Sequence, residues 1–383
     1  MRIGFLFNHD QLHQVAHSLP IALRLAEMGT GAEIILAVTN KWLRAEVERV
    51  AGDAIGLGVT LVSLDLTRRR SRLAERLVGG VLPARKWFVL QDNLDFFRSL
   101  DVLVVTEKTS LALKRRFGLD RLKIVHTRHG AGDRAVGFDK SSAGFDLVLV
   151  SGPKIGERLV AEAGVDPARI AQVGYPKFDL HRDTMADISR DRPIVLYNPH
   201  PSPHLSSWYR FGPAIMDWFV AHPDYRLIFA PHVMLFERPL AVSIDRLRAA
   251  RPGPIEQRWR DAQNILIDTG SRASTTMAYT NAADIYLGDA SSQVYEFLLR
   301  PRPCAFVDAH HTIWRGDPNY AHWQAGPVIE DIGHLGHALR LARDGFELRY
   351  RPVQERLFAH SFDLTDEPSA TRGARAIAEF ARG

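Results

Sequence analysis

Residues 287–306 read LGDASSQVYEFLLRPRPCAF, and their pattern decides the fold. The apolar run Ala283–Leu287 ends at a glycine. Asp289–Ser292 then offer cap residues, Val294, Phe297 and Leu298 recur at the spacing of a buried helical face, and Pro303–Val307 resumes a β-rich run. The order is strand, hydroxyl-rich turn, helix, strand, the repeating unit of a parallel sheet wrapped by helices. It places Ser291 and Ser292 at a helix N-terminus, where unpaired backbone N–H groups and the helix dipole favour an anion. Asp289 and Gln293 flank the pair, and Glu296 follows one turn later, placed to accept from ribose hydroxyls. Ser291 alone fits an ordinary capped helix equally well; the whole pattern fits a nucleotide diphosphate.

Working outward, the same rhythm fills both halves. Arg2–Phe7, Glu33–Val38, Thr60–Leu64, Val102–Thr106, Leu122–His126 and Leu147–Ser151 read as strands, separated by helical patterns such as Gln11–Glu27 and Lys41–Ala51. A second series follows the polar stretch Arg182–Arg192: Pro193–Tyr197, Arg226–Ala230, Asn264–Ile267, Ala283–Leu287 and Pro303–Val307. The expectation is an α/β chain of two Rossmann-type parallel-sheet domains, residues 1–185 and 186–383, facing a central cleft. The last helix, Ala370–Ala381, is a candidate to cross back over the junction.

Composition narrows the class. With 383 residues, 46% of them apolar, the chain can bury two cores. The single Cys304 lies inside an apolar run, which excludes a disulfide framework and a cysteine zinc site and suits a reducing compartment. No stretch is long and apolar enough to span a bilayer, so a soluble or peripheral protein is expected. The net charge of +5 is unevenly placed. Within Thr67–Leu90, Arg68, Arg69, Arg70, Arg72 and Arg76 mix with Leu73, Leu77, Val81, Leu82, Trp87 and Phe88, a mixture suited to an anionic membrane surface or to a solvated helix. Nucleic acid is not expected, because no reading motif accompanies these charges.

In open parallel sheets, ligands bind beyond the carboxyl ends of the strands, so residues just after strands are the candidates. Thr127–Arg134 follows one strand and carries His129, Gly130 and Arg134; its glycines allow close backbone approach, and a histidine can exchange a proton near neutral pH. Tyr197–His204 holds Asn198, His200 and His204, and Ala230–His232 closes another strand. Asp268–Ser271 copies an aspartic-protease triplet, but one copy lacks the second carboxylate that chemistry needs. His9, His13 and His17 lie at helical spacing without a downstream metal ligand, so no metal is expected there. Neither a Walker A nor a Gly-x-Gly-x-x-Gly sequence occurs, and no cofactor is expected.

The His129-Gly130 loop, Val173–Asp179, the strand ending at His232, and Asp289–Glu296 followed by Arg300–Pro303 together resemble the CDP-glycerol glycerophosphotransferase family, which includes the bacterial teichoic acid primases and polymerases. The resemblance spans roughly residues 100–345 and implies a GT-B fold. It also implies His129 as the base for an acceptor hydroxyl, His232 at the donor phosphates, Ser291 and Ser292 on the pyrophosphate, and Glu296 at the ribose. It implies a transferase moving a glycerophosphate-type group from a CDP-linked donor to a lipid- or glycan-linked acceptor in cell-envelope biosynthesis, peripheral at the cytoplasmic face of the membrane. Arg128 stands where the family has tryptophan, and Ala131-Gly132 where it has Thr-Pro. Two alternatives stay open: a nucleotide-sugar glycosyltransferase of surface polysaccharide or glycolipid assembly, and a non-catalytic nucleotide-binding, membrane-associated protein.

Overall fold

A computed structural model describes the chain except residues 10, 79–83 and 244–247, and except the side chains of 74, 77, 78, 84, 135 and 136. It divides into two compact units. The first comprises residues 1–129, 136–180 and 361–383; the second comprises 130–135 and 181–360.

The first unit is built on a seven-stranded sheet in the order β3-β2-β1-β4-β5-β6-β7. Its strands are β1 (Arg2–Phe7), β2 (Glu33–Val38), β3 (Val59–Ser63), β4 (Val102–Val105), β5 (Lys123–Thr127), β6 (Leu147–Val150) and β7 (Ile170–Gln172). All pair in parallel. The central strands are apolar without alternation because helices cover both faces, and one cluster lies on each side, around Phe5 and Leu36 on one and Leu103 and Ile124 on the other. The helical pattern over Gln11–Glu27 is interrupted: a 3₁₀ segment (Leu12–His17) gives way at Ser18 to an α-helix (Leu19–Glu27) whose first turn contains Pro20.

The chain returns to this unit at its end. Ser151 Oγ donates to the Ser361 carbonyl (2.8 Å), and the Asp179 carboxylate caps the last helix (Ser369–Arg382) by accepting from the Ser369 and Ala370 N–H groups. That helix packs on Leu19–Glu27 so closely that a Cβ at Gly373 would lie 2.9 Å from Ile21.

The second unit carries a six-stranded sheet in the order β12-β9-β8-β13-β14-β15 and a small hairpin. Its strands are β8 (Ile194–Asn198), β9 (Arg226–Phe229), β12 (Ile265–Ile267), β13 (Ile285–Gly288), β14 (Cys304–Val307) and β15 (Val328–Ile329), with β10 (Ala241–Ser243) and β11 (Arg248–Ala250) forming the hairpin. The sheet is parallel throughout. Its order reverses between β8 and β13, the switch point at which ligands of such sheets bind. The chain is therefore α/β, with two Rossmann-type parallel-sheet domains.

The basic stretch forms two helices, Arg69–Val78 and Ala84–Asp92. Arg68, Arg69, Arg70, Arg72 and Arg76 are exposed, as is Leu73 at 61%. Arg68 and Arg72 are partly occupied at home: the Arg68 N–H and guanidinium face Asp92, and Arg72 donates to the Thr67 carbonyl. Trp87 departs from the lipid-facing role expected of it: its ring packs edge-on against Phe117 (5.7 Å between centroids) beneath the Arg116 guanidinium. Val81 and Leu82, and the side chain of Leu77, lie outside the described residues. No helix among the described residues is long and apolar enough to cross a membrane.

Candidate functional site

Three adjacent parallel strands of the second unit, β9, β8 and β13, end on one edge of the sheet, where the chain delivers His232, His200 and Ser291. Asn198, the last residue of β8, ties these ends together: its amide donates to the Ala230 carbonyl (2.6 Å) and its Oδ1 accepts from Ser291 Oγ (2.7 Å). Both side chains are buried, so Asn198 and Ser291 hold the edge in shape. Asp289 is likewise turned inward. Its carboxylate accepts from the His200 N–H (2.9 Å) and from the Ser207 N–H and hydroxyl (2.7 and 2.8 Å), and burial pushes its pKa up to about 6. It builds the loop that a ligand would meet, and the ligand role expected of its carboxylate gives way to that one.

The helix after this turn is shorter than its pattern suggests, only Gln293–Phe297, so its dipole is slight. Ser292 is exposed at its start and makes no side-chain cap bond, whereas Glu296 is buried and Gln293 donates to the Ser274 carbonyl (3.3 Å). Burial removes Glu296 from open reach of a ribose. What remains for an anion is Ser292 and the groups around it.

Those groups come from far away in sequence. Residues 130–135 belong to the second unit. Gly130 adopts φ +76, where only glycine is unstrained, and a Cβ at Gly132 would lie 2.7 Å from Ser292 Cβ. The loop is anchored by Asp133, which the sequence did not single out. Its fully buried carboxylate accepts from the Tyr295 hydroxyl (2.8 Å) and from the His322 N–H and Nδ1 (3.1 and 2.8 Å). His322 Nε2 and Trp323 Nε1 both reach the Asp289 carbonyl at 2.9 Å. Both His322 nitrogens thus face oxygen atoms. The network joins the glycine loop to the turn after β13.

Arg134, exposed at the loop's end, is close enough to His200 and His232 to disfavour their protonation. Burial first, and this cation second, hold His200 well below its ordinary pKa and pull His232 from 6.5 to about 4. The Nδ1 atoms of His200 and His232 accept backbone N–H bonds from Ser202 (3.0 Å) and Met234 (3.3 Å), which leaves the proton of each neutral ring on Nε2. The rings lie 6.1 Å apart. A cation, two imidazole N–H donors and an exposed hydroxyl thus gather at the sheet's switch point, an arrangement suited to an anion.

In the first unit, the ends of β1, β4 and β5 bring His9, Thr106 and His129 to one edge. His129 Nδ1 lies 3.2 Å from the Thr106 carbonyl, so it donates there and Nε2 keeps its lone pair. The ring edge reaches solvent, yet the protein packed around it, then the Arg128 cation, pull its pKa from 6.5 to about 4. It is a neutral ring with an accepting nitrogen at physiological pH. His17 is buried, 6.4 Å from the His129 ring and 5.1 Å from Tyr175. His9 is buried too, and burial takes its pKa down to about 3. Among the described residues no group of His, Cys, Asp and Glu could hold a metal ion.

No family model matches the chain, and no curated protein does. Its fold does match solved structures. The wall teichoic acid polymerase TagF, in a crystal of a histidine variant soaked with CDPG, aligns with TM-score 0.60 at 13% identity, covering 100% of this chain and 88% of that one. The UDP-GlcNAc 2-epimerase of Neisseria meningitidis, bound to UDP-GlcNAc, aligns with TM-score 0.60 at 11% identity over 99% of both chains. The glycotransferase of kitacinnamycin aligns with TM-score 0.54 at 13% identity, covering 99% of this chain and 98% of that one. These likenesses define the class, a GT-B fold.

Proposed function

We propose that this chain is a GT-B transferase of cell-envelope polymer or glycolipid assembly, taking a CDP-linked donor of the CDP-glycerol type and a hydroxyl acceptor on a lipid or glycan. The observation that carries the reading is the junction of the Gly130–Arg134 loop with Ser292, which sets Arg134 beside His200 and His232 at the sheet's switch point. In this reading the acceptor oxygen attacks the outer phosphorus of the donor while the bond from that phosphorus to the bridging oxygen breaks. CMP leaves with the electron pair, and the acceptor's proton passes to His129 Nε2. Charge grows on the departing phosphate, where Arg134 and the Nε2–H groups of His200 and His232 donate. Ser292 hydrogen-bonds the same pyrophosphate. The acceptor and the anionic membrane face belong to the same proposal.

The experiment is thermal unfolding with CDP-glycerol and with matched CDP-, UDP- and GDP-linked ligands. A ligand at 100 times its dissociation constant stabilises by about 2.7 kcal/mol, so the preferred base stands out. Preference for a CDP ligand supports the reading. Preference for a UDP sugar supports instead a nucleotide-sugar enzyme, a second reading favoured by the equal fold likeness to the epimerase. Binding without turnover would leave a nucleotide-binding protein.

A further inference from the structure

Leu348 and Ile313 are the two most exposed large apolar side chains among the described residues, at 95% and 91%. Each is the chain neighbour of a residue that lines a recess of about 410 Å³ in the second unit. Trp314, Arg315, Arg349 and Tyr350 line it. Leu348 projects from a π-helical turn, Phe346–Tyr350, between two α-helices, and Ile313 from the loop after β14. Leaving both exposed costs solvation that an ordinary surface would avoid, and each is next in sequence to an arginine–aromatic pair of that recess.

The recess is basic as well as aromatic. The Arg315 guanidinium stacks 4.5 Å from the Trp314 ring centroid and that of Arg349 5.1 Å from Tyr350. Among the described residues neither has a carboxylate within ion-pair distance: Glu330, which borders the adjoining recess, faces His311 Nδ1 at 2.7 Å. Two exposed guanidiniums over aromatic rings, without a carboxylate partner among the described residues, suit a phosphate, and the two exposed aliphatic side chains next to these pairs in sequence suit acyl chains.

We propose that this face docks on an anionic phospholipid surface, with Ile313 and Leu348 entering the interface and Arg315 and Arg349 taking lipid phosphates. It is a lipid contact of the second unit, separate from the Arg68–Arg76 helix of the first, and it rests on the membrane-side part of the proposed function. Full-length protein is sedimented with vesicles of phosphatidylcholine alone and of phosphatidylcholine mixed equally with phosphatidylglycerol. The wild type is expected on the anionic vesicles. Ile313→Ser with Leu348→Ser, and separately Arg315→Gln with Arg349→Gln, each lower that partition at least about tenfold, with thermal unfolding and nucleotide binding unchanged. Wild-type behaviour of either variant overturns the proposal, as does a wild type that does not sediment. Equal displacement by soluble glycerol phosphate overturns it too, since the recess is then a small-anion site. Vesicle binding that survives in a protein with no nucleotide affinity would sink the donor reading alone.

Discussion

At the residue scale, side chains proposed to meet ligand differ from those that shape the site. His129 is proposed for the first group because Nδ1 is engaged by Thr106 and Nε2 is left to accept. His129→Ala should lower turnover by about 10²-fold or more with little change in donor affinity, read from kcat and from donor binding separately. Near-normal turnover would remove it from the mechanism. Asp133 belongs to the second group. Asp133→Ala strips a buried carboxylate from His322 and Tyr295, and the expected loss is about 1–3 kcal/mol in urea unfolding, the usual result of leaving buried hydrogen-bonding groups unsatisfied. A change under about 1 kcal/mol would show that the network does not hold the loop.

At the scale of elements, the fit of the glycine loop against the helix turn gives a sharper test. Gly132→Ala places a methyl 2.7 Å from Ser292 Cβ, so it should lower stability in urea unfolding, and adding Ser292→Gly should restore most of that loss. Additive effects in that double-mutant cycle would mean the two segments act independently. This contact also shows what a sequence can reveal. The glycines after β5 and the hydroxyls after β13 were each legible as strand-end features, because parallel strands are continuous apolar runs with abrupt polar ends. Strands β7, β10, β11 and β15 were not, being two or three residues long with little apolar pattern. Nor could local pattern join Asp133 to His322, which lie 189 residues apart. The inward turn of Asp289 and Glu296 was hidden for a related reason: a polar residue after a strand looks the same whether it caps its own loop or meets a ligand.

At the scale of the whole molecule, an unusual number of neutral imidazoles sets the pH response. Burial lowers the pKa values of His9 to about 3 and of His129 and His232 to about 4, and those of His17, His126 and His200 well below the ordinary 6.5. Below pH 6.5 the unfolded chain therefore binds more protons, and stability should fall with falling pH until about pH 4 to 3. Asp289, raised to about 6, opposes this between its ordinary 3.8 and about 6, but it is one group against several. Urea unfolding from pH 7.5 to pH 4 should show a steady decline, and a flat profile would contradict these protonation states. The central claim is that the second unit holds the phosphates of a nucleotide donor through Arg134 and its neighbouring imidazoles. Calorimetric titration of CDP and of cytidine into wild type and Arg134→Gln tests it most directly. The account predicts that CDP affinity falls about tenfold to a hundredfold, the worth of a charge-assisted hydrogen bond, while cytidine is unaffected; unchanged CDP affinity, or equal loss for both ligands, would contradict it.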